Sequence, residues 1–356
     1  MLLRLSAEIF LIVFVLALAA GVLTRYLCGL AISKHYLQDE VTERSSHKKA
    51  TSRAGGVAMM ASFVPASILA LFLITDEGST KALILIFLVL LATILGYIDD
   101  RRTLTVSGKF LGQIVLAALL VTALGGVGSL PLPVVGEVPL GAAGYFVGIL
   151  WVVGFINVFN FMDGLNGMAG VTALVAGLAM LALSFFTDRM DILIITIMMC
   201  AALAGFLSYN FRQGNIFLGD AGSHGLGLLL AGLALLGSNV THLGKTASAI
   251  DFLFLPIVFL PFIMDVTITL WRRIVERKRL YEAHKEHFYQ KLHHDFGVSH
   301  TNVALIYAGL ALFSVVVALL TTAVSGDMKW LGPVALACFL GAGLLLAENQ
   351  KQNKSA

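Results

Sequence analysis

The chain has 356 residues, of which 58% are hydrophobic and only 13% are charged, about half the charge density of an ordinary soluble domain. That composition excludes a soluble enzyme and predicts an all-α polytopic membrane protein. The net charge of +3 is small and dispersed, which argues against nucleic-acid binding. Cys28, Cys200 and Cys338 lie too far apart in apolar segments for a metal site or a disulfide framework.

Apolar windows of about twenty residues predict eleven spans, near 7–30, 56–74, 80–98, 109–125, 143–160, 167–186, 192–210, 222–236, 248–270, 303–323 and 330–347. LALAA at 16–20 has the look of a signal-peptide cleavage site, but the apolar run continues for about ten residues beyond it, as a span would. Segments 31–55, 99–109, 160–166, 211–221, 271–302 and 348–356 hold 18 of the 24 Lys and Arg residues. The positive-inside rule then places them in the cytoplasm, with the N-terminus outside and the C-terminus inside. Between the fourth and fifth spans, GVGSLPLPVVGEVPLG at 126–141 combines Gly/Pro turns with alternating Val and predicts a small external hairpin. No repeat or soluble module interrupts the pattern, so residues 1–356 read as one membrane domain.

The polar residues that hydrocarbon penalises by several kcal/mol when unpaired all fall at the cytoplasmic ends of these spans. GYIDDRR at 96–102 carries Asp99 and Asp100, which can pair with the arginines that follow or face a ligand. NVFNFMDGLNG at 157–167 spaces Asn157, Asn160 and Asp163 at i, i+3, i+6, near one helical face; a polar helix cap is the plainer alternative. IFLGDAGSHGLG at 216–227 sets Asp220 between glycines ahead of a span, where carboxylate and backbone N–H groups can both reach a phosphate-bound cation, unless Asp220 is only an N-cap. Asp265 is expected to be neutralised by Arg272 or Arg273, outside any site.

Residues 272–300 form a basic inner loop with His284, His287, His293, His294 and His300. Without cysteine or a facing carboxylate triad, it suits an anionic ligand better than zinc. RSSHKKATSRAGG at 44–56 adds Arg44, His47, Lys48, Lys49 and Arg53, although membrane anchoring also accounts for such a segment. Carboxylates and an amide around a divalent ion, beside cationic loops, are what phosphoryl transfer requires. Their place at the inner leaflet adds a lipid.

In this order and between such spans, Asp99-Asp100, NVFNFMDGLNG, IFLGDAGS and the His284-Lys285-Glu286-His287 element resemble the polyprenyl-phosphate N-acetylhexosamine-1-phosphate transferases. RSSHKKATSRAGGVAM further resembles the bacterial branch that primes O-antigen or common-antigen synthesis, rather than the peptidoglycan-precursor enzyme with three consecutive histidines. The resemblance implies a UDP-activated N-acetylamino sugar as donor, undecaprenyl phosphate as acceptor, Mg²⁺ or Mn²⁺ as cofactor, and a place in the bacterial inner membrane. It implies that Asp220 and Asn160 hold the metal and that Asn166 faces the uracil. His284 and His287 would contact the sugar diphosphate, Lys109 would bind phosphate, and Asp99 and Asp100 would lie at the acceptor phosphate. Asp163 would orient the amide cluster, with Asn157 and Arg53 among the substrate-binding groups. Family members commonly carry Lys or Arg where this chain has Asn215; Arg212 is the available substitute. A homodimer is compatible with this reading.

Two other classes differ from it in their sequence requirements. The CDP-alcohol phosphotransferases also work at the inner leaflet with aspartates, but need Ala-Arg shortly after Asp-Gly, where this chain reads DGLNGMAG. An ion-coupled transporter would carry its acids near the bilayer midplane, often in repeated halves.

Overall fold

The computed structural model describes residues 7–39, 50–75, 80–132, 134–239, 249–280, 284–324 and 326–355. Arg44, His47, Lys48 and Lys49 lie outside the described residues. In chain order, α1 (Ala7–Ser33) leads into the short strands β1 (Gln38–Asp39) and β2 (Thr51–Ser52), then α2 (Gly55–Ile74), α3 (Thr80–Arg102) and α4 (Val106–Leu124). The hairpin β3 (Ser129–Leu132) and β4 (Gly136–Pro139) precedes α5 (Ala143–Phe161), α6 (Met168–Phe186), α7 (Met190–Asn210) and α8 (Gly219–Ser238). The chain closes with α9 (Phe254–Val258), α10 (Leu260–Val275), α11 (Phe288–His294), α12 (His300–Ala323) and α13 (Leu331–Ser355).

Among the described residues, nine helices are long and apolar enough to cross a membrane: α1 to α8 and α12. The expected span at 248–270 is instead broken. Its helix ends at Val258 and restarts at Leu260 with Pro261 in the first turn, because proline has no N–H to continue the ladder and restricts the residue before it. For the expected span at 330–347, the qualifying apolar stretch is the shorter Met328–Gly343.

Helix α8 is the axis of the bundle, with every residue from Ala221 to Gly237 buried. Small residues make this possible, since helices in lipid pack by close backbone approach rather than by a hydrophobic drive. A Cβ on Gly96 of α3 would strike the Asp220 carbonyl, and one on Gly56 of α2 would strike Gly222. Aromatic rings fill the other flank: Phe155 of α5 meets Phe259, at the α9–α10 break, edge-on at 4.9 Å between centroids.

One end of the bundle is tied by carbonyl caps. Lys81 Nζ and Asn239 Nδ2 both donate to Leu124 O, at 2.9 and 2.6 Å, closing the C-terminus of α4. Arg189, fully buried, donates to Leu236 O and Gly237 O at the C-terminus of α8 while bonding both oxygens of Asp191. These bonds satisfy carbonyls that a helix end leaves without partners. The hairpin expected within 126–141 is present, with Ser129 opposite Pro139 and Leu132 opposite Gly136. At the opposite end, Ser52 bridges β2 to Ile216, and Phe217 N–H donates to Ser52 O at 2.7 Å, which fixes the chain just ahead of Asp220.

Candidate active site

The C-termini of α3 and α5 and the N-termini of α4 and α8 converge at that opposite end, and they bring together the acids of three separate motifs. Lys109, in the first turn of α4, stands between two of them, with Nζ 2.7 Å from Asp99 Oδ2 and 3.0 Å from Asp220 Oδ2. Asp99 also accepts the Leu104 N–H at 2.7 Å, closing the α3–α4 turn. Asp100 accepts the backbone N–H groups of Asp220 and Ala221 at 3.1 and 2.9 Å. The cap of α8 is therefore supplied by Asp100 from across the bundle, the usual chemistry of a carboxylate at a helix N-terminus. Neither acid pairs with the arginines that follow it; Arg101 lies over the Tyr97 ring at 5.8 Å.

Asn160, in the last turn of α5, donates from Nδ2 to Asp220 Oδ1 at 2.7 Å and to Ser223 Oγ at 2.8 Å. Both oxygens of Asp220 are thus engaged, one by an amide and one by an ammonium. Asp163 lies two residues past the end of α5, in the turn before α6, so it does not share a helical face with Asn160. Among the described residues no donor pairs with its carboxyl. Burial, then the charges of Asp220 and Asp100, push the Asp163 pKa well above the ordinary carboxylate range.

Asn157, one helical turn before Asn160, has partners of its own. Its Nδ2 donates to Gln113 Oε1 at 2.7 Å and to Val153 O at 2.8 Å. Gln113 in turn meets His224 Nε2 at 3.0 Å, and His224 Nδ1 meets Asp220 O at 2.8 Å. With Gln113 Oε1 committed as acceptor, its amide donates to His224 Nε2, and the imidazole carries its proton on Nδ1 toward the carbonyl. Asn157 therefore supports Asp220 through two buried residues. Gln113 and His224 were not singled out in the sequence, though each sits four residues after a site residue, Lys109 and Asp220, one helical turn away.

The histidine segment approaches from α10 and α11. His284 and His287 stack at 4.9 Å between centroids, and His287 lies 5.9 Å from the Phe161 ring. Burial, then the neighbouring His287 and the Arg273 charge, push the His284 pKa down to about 4, so it is a neutral imidazole at pH 7. His293 and His300 bond each other, Nε2 to Nε2 at 3.1 Å. Arg53 pairs with Asp39 at 2.6 Å, and its carbonyl abuts Gly219. The Asn166 amide packs against Gly214 where a side chain would sit, and the positive φ of Gly214 also favours glycine. Arg212 is exposed in the turn after α7, near Asn215, whose Nδ2 bonds Gln213.

Asp265 overturns its expected pairing. Arg272 and Arg273 turn to Glu286, Arg273 Nη1 reaching its Oε1 at 2.7 Å. The Asp265 carboxylate instead accepts from Phe288 N, Tyr289 N and the Tyr307 hydroxyl.

Together these features define a polytopic membrane protein with a cluster of acids and amides at one end of its helices, flanked by histidines. The sequence profile described as glycosyl transferase family 4 matches residues 82–238, which run from α3 through α8 and include every carboxylate of the cluster. The chain is 30% identical over 286 residues to the probable undecaprenyl-phosphate N-acetylglucosaminyl 1-phosphate transferase of Bacillus subtilis strain 168, covering 78% of this chain and 75% of that one. It is 29% identical over 297 residues to the decaprenyl-phosphate N-acetylglucosaminephosphotransferase of Mycobacterium tuberculosis, covering 76% and 73%. A phospho-N-acetylmuramoyl-pentapeptide-transferase of Staphylococcus saprophyticus is 26% identical over 297 residues, covering 78% and 87%. The chain belongs to glycosyl transferase family 4, the polyprenyl-phosphate N-acetylhexosamine-1-phosphate transferase superfamily.

Proposed function

We propose that this membrane transferase moves an N-acetylamino-sugar 1-phosphate from a UDP-sugar to undecaprenyl phosphate at the cytoplasmic face of a bacterial inner membrane. An oxygen of the lipid phosphate attacks the β-phosphorus, the bond from that phosphorus to the bridging oxygen breaks, and UMP leaves with the electron pair. The product is undecaprenyl-diphospho-sugar, the first lipid-linked intermediate of an O-antigen or related envelope polysaccharide. The observation that carries this reading is the gathering of four acids at one end of the bundle: Asp99 and Asp220 share the Lys109 ammonium, Asp100 caps the N–H groups of Asp220 and Ala221, and Asp163 feels the charges of Asp220 and Asp100.

That excess of negative charge fits a divalent cation, and the unpaired Asp163 carboxyl strengthens the fit. Hard oxygen donors of this kind suit Mg²⁺, which is held by one or two carboxylates with the remaining positions left to substrate phosphates. Asp220 and the amide oxygen of Asn160 would hold it, and when bound it would offset charge on the donor diphosphate. Lys109 sits on Asp220 and would shift to phosphate oxygen as the site fills. His284, neutral and half-buried, can donate one hydrogen bond to the sugar diphosphate without bringing a charge.

The acceptor needs little activation. A phosphomonoester has a second pKa of about 6 and is mostly a dianion at neutral pH, so Asp99 and Asp100 serve better to place Lys109 and the α8 terminus than to remove a proton. The test is UMP release by purified protein from a panel of UDP-N-acetylamino sugars, with and without undecaprenyl phosphate. Release only with the lipid supports the reading, and uptake into vesicles without release would replace it with transport. Asp220→Asn should lower turnover by about a thousandfold or more. Asn160→Ala should raise the Mg²⁺ needed for half-maximal rate and be partly restored by Mn²⁺. Wild-type metal dependence in both variants would remove the metal assignment.

A further inference from the structure

Several buried polar groups beside the histidine segment have no part in the chemistry above. Asp265 on α10 is 1% exposed, and a carboxylate so placed costs several kcal/mol unless its lone pairs are filled. They are filled without a cation. Oδ1 accepts the Phe288 N–H at 2.8 Å, and Oδ2 accepts the Tyr289 N–H at 3.1 Å and the Tyr307 hydroxyl at 2.5 Å. His287 Nδ1 lies 3.4 Å from Oδ1, buried and with no hydrogen-bond partner. A small rotation of the ring would make that contact an N–H···O bond.

A second tether runs to the other side of the segment. The Tyr289 hydroxyl donates to Phe161 O at 2.9 Å, at the residue after Asn160 and two before Asp163. Its oxygen also fills the space that a side chain on Gly164 would need. Burial, and then the nearby Asp265 charge, push the Tyr289 pKa upward, which keeps this donor protonated. Helices α10 and α12 therefore grip the histidine segment from one side, while Tyr289 bolts it to the turn after α5.

We propose that Asp265 is a positioning residue for sugar-phosphate transfer: with Tyr307 and Tyr289 it holds His287, and His284 stacked on it, in place against the Asn160–Asp163 turn. The inference rests on the function proposed above and adds three residues to it. A carboxylate suits the task because both oxygens must accept. An amide at position 265 would turn an NH₂ toward an N–H donor, and Phe at 307 would leave one lone pair unfilled.

The experiment uses the full chain, with UDP-GlcNAc or the best donor of the panel, and compares Asp265→Asn, Tyr307→Phe, His287→Ala and Asp265→Asn/His287→Ala. Donor kcat/KM should fall about tenfold or more in Asp265→Asn and several-fold in Tyr307→Phe, while acceptor KM and the Mg²⁺ requirement stay within about twofold of wild type. The double variant should be no worse than His287→Ala alone, since the carboxylate acts through that ring. Amide hydrogen exchange at Phe288 and Tyr289, which needs no substrate, should quicken in Asp265→Asn. Additive losses in the double variant would overturn the proposal, as would faster exchange with unchanged donor kcat/KM. So would equal losses for donor and acceptor with a fallen thermal midpoint, which mark a merely structural role. A wild-type chain that releases no UMP from any donor would refute the function first, whereas an active wild type with additive losses refutes the positioning alone.

Discussion

Asp163 shows how a single side chain in this cluster records what the site is built to receive. Its carboxyl is surrounded by burial and by the charges of Asp220 and Asp100, and its pKa is raised, so the folded protein holds a proton that the unfolded chain releases near pH 3.9, roughly the ordinary aspartate value. A raised acid contributes stability that is present below the unfolded pKa and lost as pH rises through the folded one. Metal-free protein should therefore lose thermal stability as pH climbs through that window. Asp163→Asn should flatten the slope and raise the metal-free midpoint at neutral pH by about 2 °C. Mg²⁺ should stabilise the wild type more than this variant. A pH slope and Mg²⁺ response identical in both proteins would show that Asp163 feels neither proton nor cation. Asp163 stood out in the sequence, as did Asp99, Asp100, Asn160 and Asp220, because unpaired acids and amides at the ends of apolar spans are costly. The Gln113 partner of Asn157 was not legible, because it lies 44 residues earlier on another helix. For Asp265, sequence proximity misled: seven or eight residues along a helix is about 11 Å, and Arg273 turns the other way, to Glu286.

At the scale of helices, the site depends on how closely α8 is approached. Gly96 brings α3 against the first turn of α8, so that Asp100, four residues on, reaches the Asp220 and Ala221 N–H groups. Gly96→Ala would place a methyl where the Asp220 carbonyl now lies, and backbone cannot yield as a flexible side chain does. The variant should be destabilised by about 1–3 kcal/mol and should lose most of its turnover, because Asp220 moves relative to Asn160 and Lys109. Gly154→Ala, on a face of α5 with open space around it, is the control and should keep both stability and rate. Equal behaviour of the two variants, measured by thermal unfolding and UMP release, would mean that the α3–α8 approach does not set the site. Apolar windows predicted these helices, yet they could not show that α8 is central, since a glycine-rich span reads the same at the core as at the rim. They also missed the break before α10, although Pro256 and Pro261 were in view; eleven uniform windows smoothed over the one segment that turns to hold the histidines.

At the scale of the whole molecule, all the chemistry is at one end and most of the structural capping is at the other. Lys109, Asp99, Asp100, Asn160 and Asp220 meet at the first end, whereas Lys81, Arg189 and Asn239 close helix carbonyls at the second, with Asp191 accepting from Arg189. On the proposed function, a donor made in the cytoplasm and a lipid acceptor would need the first end to face inward, and the distribution of basic residues predicts the same. The hairpin β3–β4, with Val134 at its tip 89% exposed, would then lie outside, and Asp295, exposed after α11, would lie inside. Single cysteines at these two positions test the arrangement in a Cys338→Ala background, because Cys28 and Cys200 are buried. In intact spheroplasts an impermeant maleimide should label Val134→Cys and spare Asp295→Cys, and permeabilisation should expose the second. Labelling of Asp295→Cys before permeabilisation would invert the molecule in the membrane. The acidic cluster would then face away from the nucleotide pool, and a UDP-sugar could not be its donor.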